Sequence, residues 1–259
     1  MQPPKESYEK AKAAAVRALE IDDRLAEAHA SLAMVRSQYD WDWAGAENEF
    51  RRSIELEPNY ATAHHWLAFH LSAMGRFDEA IVEIKRAQEL DPLSLIINTD
   101  TGTILFFARR EAEAIEQCKK TLELDPNFNQ AHLVLSVIYA QGRLYDQWMA
   151  ERQRMLILSG DTERAALLAR VYAQSGYNGV LQKQIDELKE RAQSSYISPY
   201  ALALLYAQKG DKDGAFEWLE KAFRERSSGM SDLKVRPAFE NIRSDPRFAD
   251  LLRRTGLTP

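Results

Sequence analysis

A chain of 259 residues, 45% hydrophobic and 28% charged, has the composition of a globular protein and excludes a disordered tail. Its net charge of -5 gives no global attraction to nucleic acid, and basic pairs such as Arg51-Arg52 and Lys119-Lys120 are interleaved with acids. The single cysteine, Cys118, excludes an internal disulfide, and no apolar run approaches the roughly 18 residues of a membrane span.

The N-terminal segment, 1–25, reads as a helix that lacks the partner helix before it. Its stretch "KESYEKAKAAAVRALEIDD" would leave an alanine-rich face uncovered, so we expect a chain cut from a longer protein, with Met1 as an added start. Beyond it the sequence repeats itself. Six units begin near 26, 61, 95, 129, 162 and 196, and each reads as a helix, a turn and a second helix.

A small-residue slot in the first helix holds Ala33, Ala68, Gly102, Ser136, Ala169 and Ala203. Three residues on, a larger slot holds Leu71, Leu105, Tyr139, Tyr172 and Tyr206. The turn slot holds Gly75, Gly142, Gly176 and Gly210, with Arg109 as the exception. The second helices carry Ala46, Ala80, Ala114 and Ala215, then Phe50, Ile84, Cys118, Ile185 and Leu219. Small residues let antiparallel helices approach and bulky ones fill the space beside them. Pro58, Pro92 and Pro126 close the first three units, because the residue before proline leaves the α region. Each slot recurs at about 34 residues, the period of a helix–turn–helix solenoid.

Two units depart from the pattern. The first carries an extra residue around its turn, "SQYDWDWAG", and the fourth loses one near "YAQGRL". Gln147 stands in the fourth where alanine is expected. Tyr39, Trp41 and Trp43 form an aromatic run that reads either as a secondary binding patch or as a staple between two helices. The staple is favoured, with Asp42 near the next helix's N-terminus. Residues 227–259 break the repeat. Pro237 and Pro246 suit first helical turns, Asp245 suits a cap, and Phe239, Ile242, Phe248, Leu251 and Leu252 make an apolar stripe for a capping segment.

Three of the five histidines sit in "ATAHHWLAFHL". His29, His64 and His132 occupy one slot of three units, which indicates a packing rule and not a metal site. His64 and His70 are six residues apart, and His65 and His70 five, off the i, i+3 or i, i+4 spacing of ligands on one helix face. Cys118 falls in a bulky core slot and is expected to be a buried, inert thiol. No phosphate-cradling loop or nucleophile elbow appears, so no enzyme activity and no cofactor are expected.

These slots resemble the tetratricopeptide repeat family over nearly the whole chain, as roughly six and a half repeats. The resemblance implies an all-α superhelical solenoid with short C-terminal capping helices. It further implies a concave groove for a protein or peptide, here lined by Thr62, His65, Phe69, Thr99, Thr103, Phe106, Leu133, Val137, Arg170 and Tyr200. The family's carboxylate clamp is missing, since its slots hold Ala30, Met34, His65, Phe69, Thr99 and Thr103. Phe69, Phe106, Leu133 and Val137 are large apolar residues on that concave face, so a ligand with apolar anchors is expected.

"YDWDWAGAENEFRRSIELEPNYATAHHW" and both ends also resemble the C-terminal repeat regions of multidomain bacterial signalling and transcription-regulator proteins. The function expected is a non-catalytic protein-interaction scaffold, the partner-binding or sensory module of such a regulator. Self-association that brings attached effector domains together is the alternative. The expected setting is cytoplasmic, with no membrane insertion and no nucleic acid bound through this region.

Overall fold

The computed structural model describes residues 4–257, and every regular element among them is helical. α1 (Pro4–Ile21) precedes a series of antiparallel pairs: α2 (Ala26–Val35) with α3 (Trp43–Leu56), and α4 (Ala61–Ala73) with α5 (Phe77–Leu90). Then come α6 (Leu95–Phe107) with α7 (Glu111–Leu124), and α8 (Asn129–Gln141) with α9 (Tyr145–Leu158). α10 (Thr162–Arg191) is broken at Gly176, where φ 61° and ψ -161° interrupt the helical path, so it serves as the two helices of a fifth pair. α11 (Pro199–Lys209) and α12 (Lys212–Arg224) form the sixth, and a tail follows with two 3₁₀ turns (Ser228–Asp232, Pro237–Ile242) and α13 (Pro246–Arg254).

Burial separates inner from outer helices. α6 buries ten of its 13 residues, whereas α7 buries Ala114, Cys118 and Thr121 out of 14. A helix buried nearly all round lies inside, and one with a single buried stripe faces solvent. The alanines of the small slots, Ala33, Ala68 and Ala203 opposite Ala46, Ala80 and Ala215, are fully buried. At Gly102 even a Cβ would lie 2.6 Å from the Cys118 sulfur, so the cysteine side chain fills the space that glycine leaves.

The turns correct one expectation. Gly75 and Gly210 take the left-handed conformation at φ 81° and 85°, and Arg109 takes it at 63°. In the fourth pair, however, Arg143 does so at φ 58°, while Gly142 before it has φ -75°. The turn after α8 is as long as those after α4 and α6, and no residue is lost at "YAQGRL". The short place is the link to the next pair: 159–161 between α9 and α10, against 91–94 and 125–128 earlier. The extra residue of the first pair is absorbed as a π-helical turn, Arg36–Asp40, ending in left-handed Trp41 at φ 58°.

The superhelix comes round until its sixth pair meets its first. Trp41 stacks on Phe223 with ring centroids 5.2 Å apart, and the Arg226 guanidinium lies 4.6 Å from the Trp41 ring and donates to the Tyr39 carbonyl at 2.6 Å. From there the tail crosses the inside of the turn. Lys234 donates to the Met74 carbonyl at 3.4 Å, Asn241 donates to the Ala207 carbonyl at 2.8 Å, and Arg109 pairs with Glu240. Trp43 Nε1 donates to the Thr255 carbonyl at 2.8 Å. One apolar cluster unites Trp43 and Ala73 with Tyr200, Phe216, Leu219, Phe239, Phe248 and Leu251.

Candidate protein-binding face

The tail decides which concave positions stay open. Thr62, Phe69, Thr103 and Val137 are half-buried, and Leu133 and Arg170 are exposed. His65, Thr99, Phe106 and Tyr200 are buried, which corrects the expectation that they line an open groove. His65 is held at 2.8 Å by the Asp100 carboxylate of the next repeat, with Phe69 edge-on against its ring. Thr99 is fully enclosed in α6. The tail closes over Phe106: that ring shares a core cluster with Val235, and its neighbour Phe107 lies 5.3 Å from the Arg236 guanidinium. Tyr200 sits edge-on to Phe239, and a Cβ on Gly229 would fall 2.3 Å from its ring, so the tail rests directly on it.

Tyr39, Trp41 and Trp43 do not form a free aromatic patch. Tyr39 stacks on Tyr8 at 5.2 Å, Trp41 on Phe223, and Trp43 is 9% exposed with its indole bonded to Thr255. Asp42 caps α3 between them by accepting from Gly45 N at 3.0 Å. A trough of about 510 Å³ stays open between α8, α9, α10, α11 and the tail, lined by Val137, Ala140, Tyr145, Tyr177, Gln208 and Asn241.

The recurring histidines make a recurring bond. Nδ1 of His29, His64 and His132 meets Glu49, Glu83 and Glu151, each at 2.6 Å. Nε2 of the same rings meets the carbonyls of Asp23, Pro58 and Pro126 at 2.9, 3.1 and 3.0 Å. The third unit has Asn98 in that slot, donating to the Pro92 carbonyl at 2.9 Å and accepting from Gln117 at 3.1 Å. Each ring or amide thus ties a first helix to its second helix and to the loop before it. His70 instead contacts Ser37 at 3.0 Å, and burial pushes it down to about 4. Among the described residues no group of three or more His, Cys, Asp or Glu side chains is placed to hold a metal.

Two family profiles, both described as tetratricopeptide repeat, match residues 42–96 and 200–227. Those two stretches are tetratricopeptide repeats, and the helical pairs between them continue the same architecture. A curated relative, the small glutamine-rich tetratricopeptide repeat-containing protein 2 of Mycosarcoma maydis, is 33% identical over 86 residues. That match covers 33% of this chain and spans only 24% of the relative's length. Among solved structures, Cut9 in the APC/C hetero-tetramer Cut9–Hcn1 aligns with a TM-score of 0.58 at 17% identity, over 96% of this chain and 46% of that one. PilF of Pseudomonas aeruginosa aligns with a TM-score of 0.51 at 19% identity, over 89% of each chain. At such identities the likeness is one of fold.

Within these repeats, the glutamates at Glu49, Glu83 and Glu151 escaped the sequence reading, although they recur 19 or 20 residues after each histidine. The paired change to Asn98 and Gln117 was the available signal. An imidazole whose two nitrogens both face acceptors is best satisfied as the doubly protonated cation. At His64 burial opposes the charge, but the Glu83 hydrogen bond, the Pro58 carbonyl and the Glu83 charge outweigh it and raise the ring above its usual value. A raised folded-state value stabilises below the unfolded value and is lost as pH rises through the folded one. Urea unfolding is therefore expected to show a His64 contribution to stability that is lost as pH rises above the usual histidine range. In a His64→Asn, Glu83→Gln variant, which copies the third repeat's pair, that slope should shrink. An unchanged slope would mean that this ring is not charged in the folded chain.

Proposed function

We propose that the chain is a non-catalytic protein-interaction scaffold that takes a protein or peptide through apolar anchors in the trough of repeats four to six. The observation that carries this reading is the apolar edge of α8, with Val137 at the trough's wall and Leu133, 40% exposed, one turn before it just outside the trough. Exposed apolar side chains in a concave setting, on a fold that does not need them for helix pairing, mark binding surfaces. Nucleophilic chemistry finds no support at Cys118: burial, with help from Asp100 and Glu151, pushes its thiol up to about 12 and leaves almost no thiolate near neutrality. No helix among the described residues is long and apolar enough to cross a membrane.

The resemblance to bacterial multidomain regulators supports a partner-binding or sensory role within a larger cytoplasmic protein, and it supplies the context for the test. A Leu133→Asp, Val137→Asp double variant should keep its thermal melt and lose partners that the unmodified chain captures from native lysate of its source. Retained capture would remove the trough as the site. Self-association through the ends of the array is the less favoured reading, because the Trp41–Phe223 stack joins the first repeat to the last within one chain. Light scattering that gives a dimer mass would restore it.

A further inference from the structure

A second cavity, of about 370 Å³, opens between α8, α9, α10 and α11. It exists because the fifth repeat is out of step. The link before α10 is one residue short and Gly176 bends the helix, so α10 leans on α9 and α11 and not along α8. The floor of the cavity is polar and positive. Arg152 and Arg164 both line it, and the Nε of each is buried with no hydrogen-bond partner among the described residues. Gln184, 6% exposed, also lines it and leaves its Nε2 donor unpartnered. Glu187 pairs with Arg164 at 2.6 Å, and the charge that bears on Arg152 is the like-charged Arg164 guanidinium.

Two half-buried guanidiniums and one carboxylate leave a single positive charge uncompensated, which is costly away from bulk water unless an anion joins them. Burial and Arg164 together pull Arg152 below its usual range, the signature of a cation held without its counter-charge. Arg191 stands exposed at the mouth. The walls are aliphatic: Leu133, Leu181, Leu188, Leu204 and Leu205.

We propose that this cavity binds a small monocarboxylate with an apolar body, its carboxylate held by Arg152, Arg164 and the Gln184 amide and its hydrocarbon against the leucines. One negative charge neutralises the buried floor of Arg152 and Arg164 with Glu187, and the leucine walls favour an apolar body over a phosphate. A forked guanidinium donates two parallel hydrogen bonds to a carboxylate, and the free Nε atoms are the donors on offer. The size lies in the range of small-ligand pockets. The site goes beyond the scaffold reading and does not depend on it, since a small acid needs no protein partner.

The test uses the purified chain with octanoate as the probe, and 1-octanol and inorganic phosphate as comparators, by calorimetry and thermal melting. Octanoate is expected to bind one per chain with a dissociation constant on the order of 0.1 mM and to raise the melting temperature, whereas 1-octanol and phosphate do neither. Arg152→Met should weaken octanoate at least about tenfold. The same variant should melt no lower than the unmodified chain, because it removes an uncompensated charge from a mostly enclosed position. Should Arg152→Met fail to fold, Gln184→Leu provides the second variant, with weakened octanoate binding expected. Octanoate binding that is absent, matched by 1-octanol, or unchanged in the folded variants overturns the proposal. Stabilisation by phosphate equal to that by octanoate overturns the carboxylate assignment. The Leu133 and Val137 variant alters walls of this cavity as well, so the octanoate site is decided by Arg152→Met and Gln184→Leu, which leave the lining of the trough untouched.

Discussion

Truncating Phe239 to alanine is expected to lower the unfolding free energy by about 3–5 kcal/mol and to loosen the first repeat, far away in sequence. The ring is fully buried, edge-on to Tyr200 and 6.4 Å from Phe248, in the cluster that also holds Trp43. Removing it leaves a cavity at the point where the tail bridges the last repeat and the first. Denaturant unfolding reads the stability, and amide exchange over residues 36–43 reads the loosening. A large loss of stability with unaltered exchange there would show that the tail and the first repeat do not open together.

At Gly102 the expected sign depends on a second residue. Alanine at this position places a Cβ 2.6 Å from the Cys118 sulfur and 3.3 Å from the Ala114 carbonyl, and overpacking of that kind costs about 1–3 kcal/mol. In a Cys118→Ala background the sulfur is gone, and the helix-propensity gain of alanine over glycine, about 0.8–1.0 kcal/mol, should make the same change stabilising. Melting temperatures of the four proteins in this cycle check it. Destabilisation of equal size in both backgrounds would mean that the Ala114 carbonyl, and not the sulfur, demands glycine.

What could be read from the sequence follows from how far each residue's task reaches. The small slot at Ala33, Ala68 and Ala203 answers to a partner helix a few residues on, so the same demand recurs in every repeat and shows as a period. Arg143 misled because a non-glycine residue entered the left-handed region beside a glycine that did not. The staples at His29, His64 and His132 were half legible, the ring by its slot and the glutamate only by its correlated swap to Gln117. The concave face was misread at Phe106 and Tyr200 for another reason. Their cover comes from the tail, and contacts such as Trp43 to Thr255 span 212 residues with no repetition to announce them. The cavity beneath Arg152 was equally hidden, since it arises from a one-residue deficit in a link.

The π-helical turn at Arg36–Asp40 carries a consequence for how such an array can grow. An open coil of repeats tolerates gain or loss of a unit, because each unit touches only its neighbours and the coil just lengthens. Here the bulged turn presents Trp41 to Phe223 and, through Trp43, grips the tail, so the angle accumulated over the intervening repeats must bring those partners face to face. Duplicating one unit would rotate the last repeat past its mate and unbuckle the loop. The clasp therefore acts as a counter: it permits one copy number, and it turns a family built for modular lengthening into a unit of set circumference.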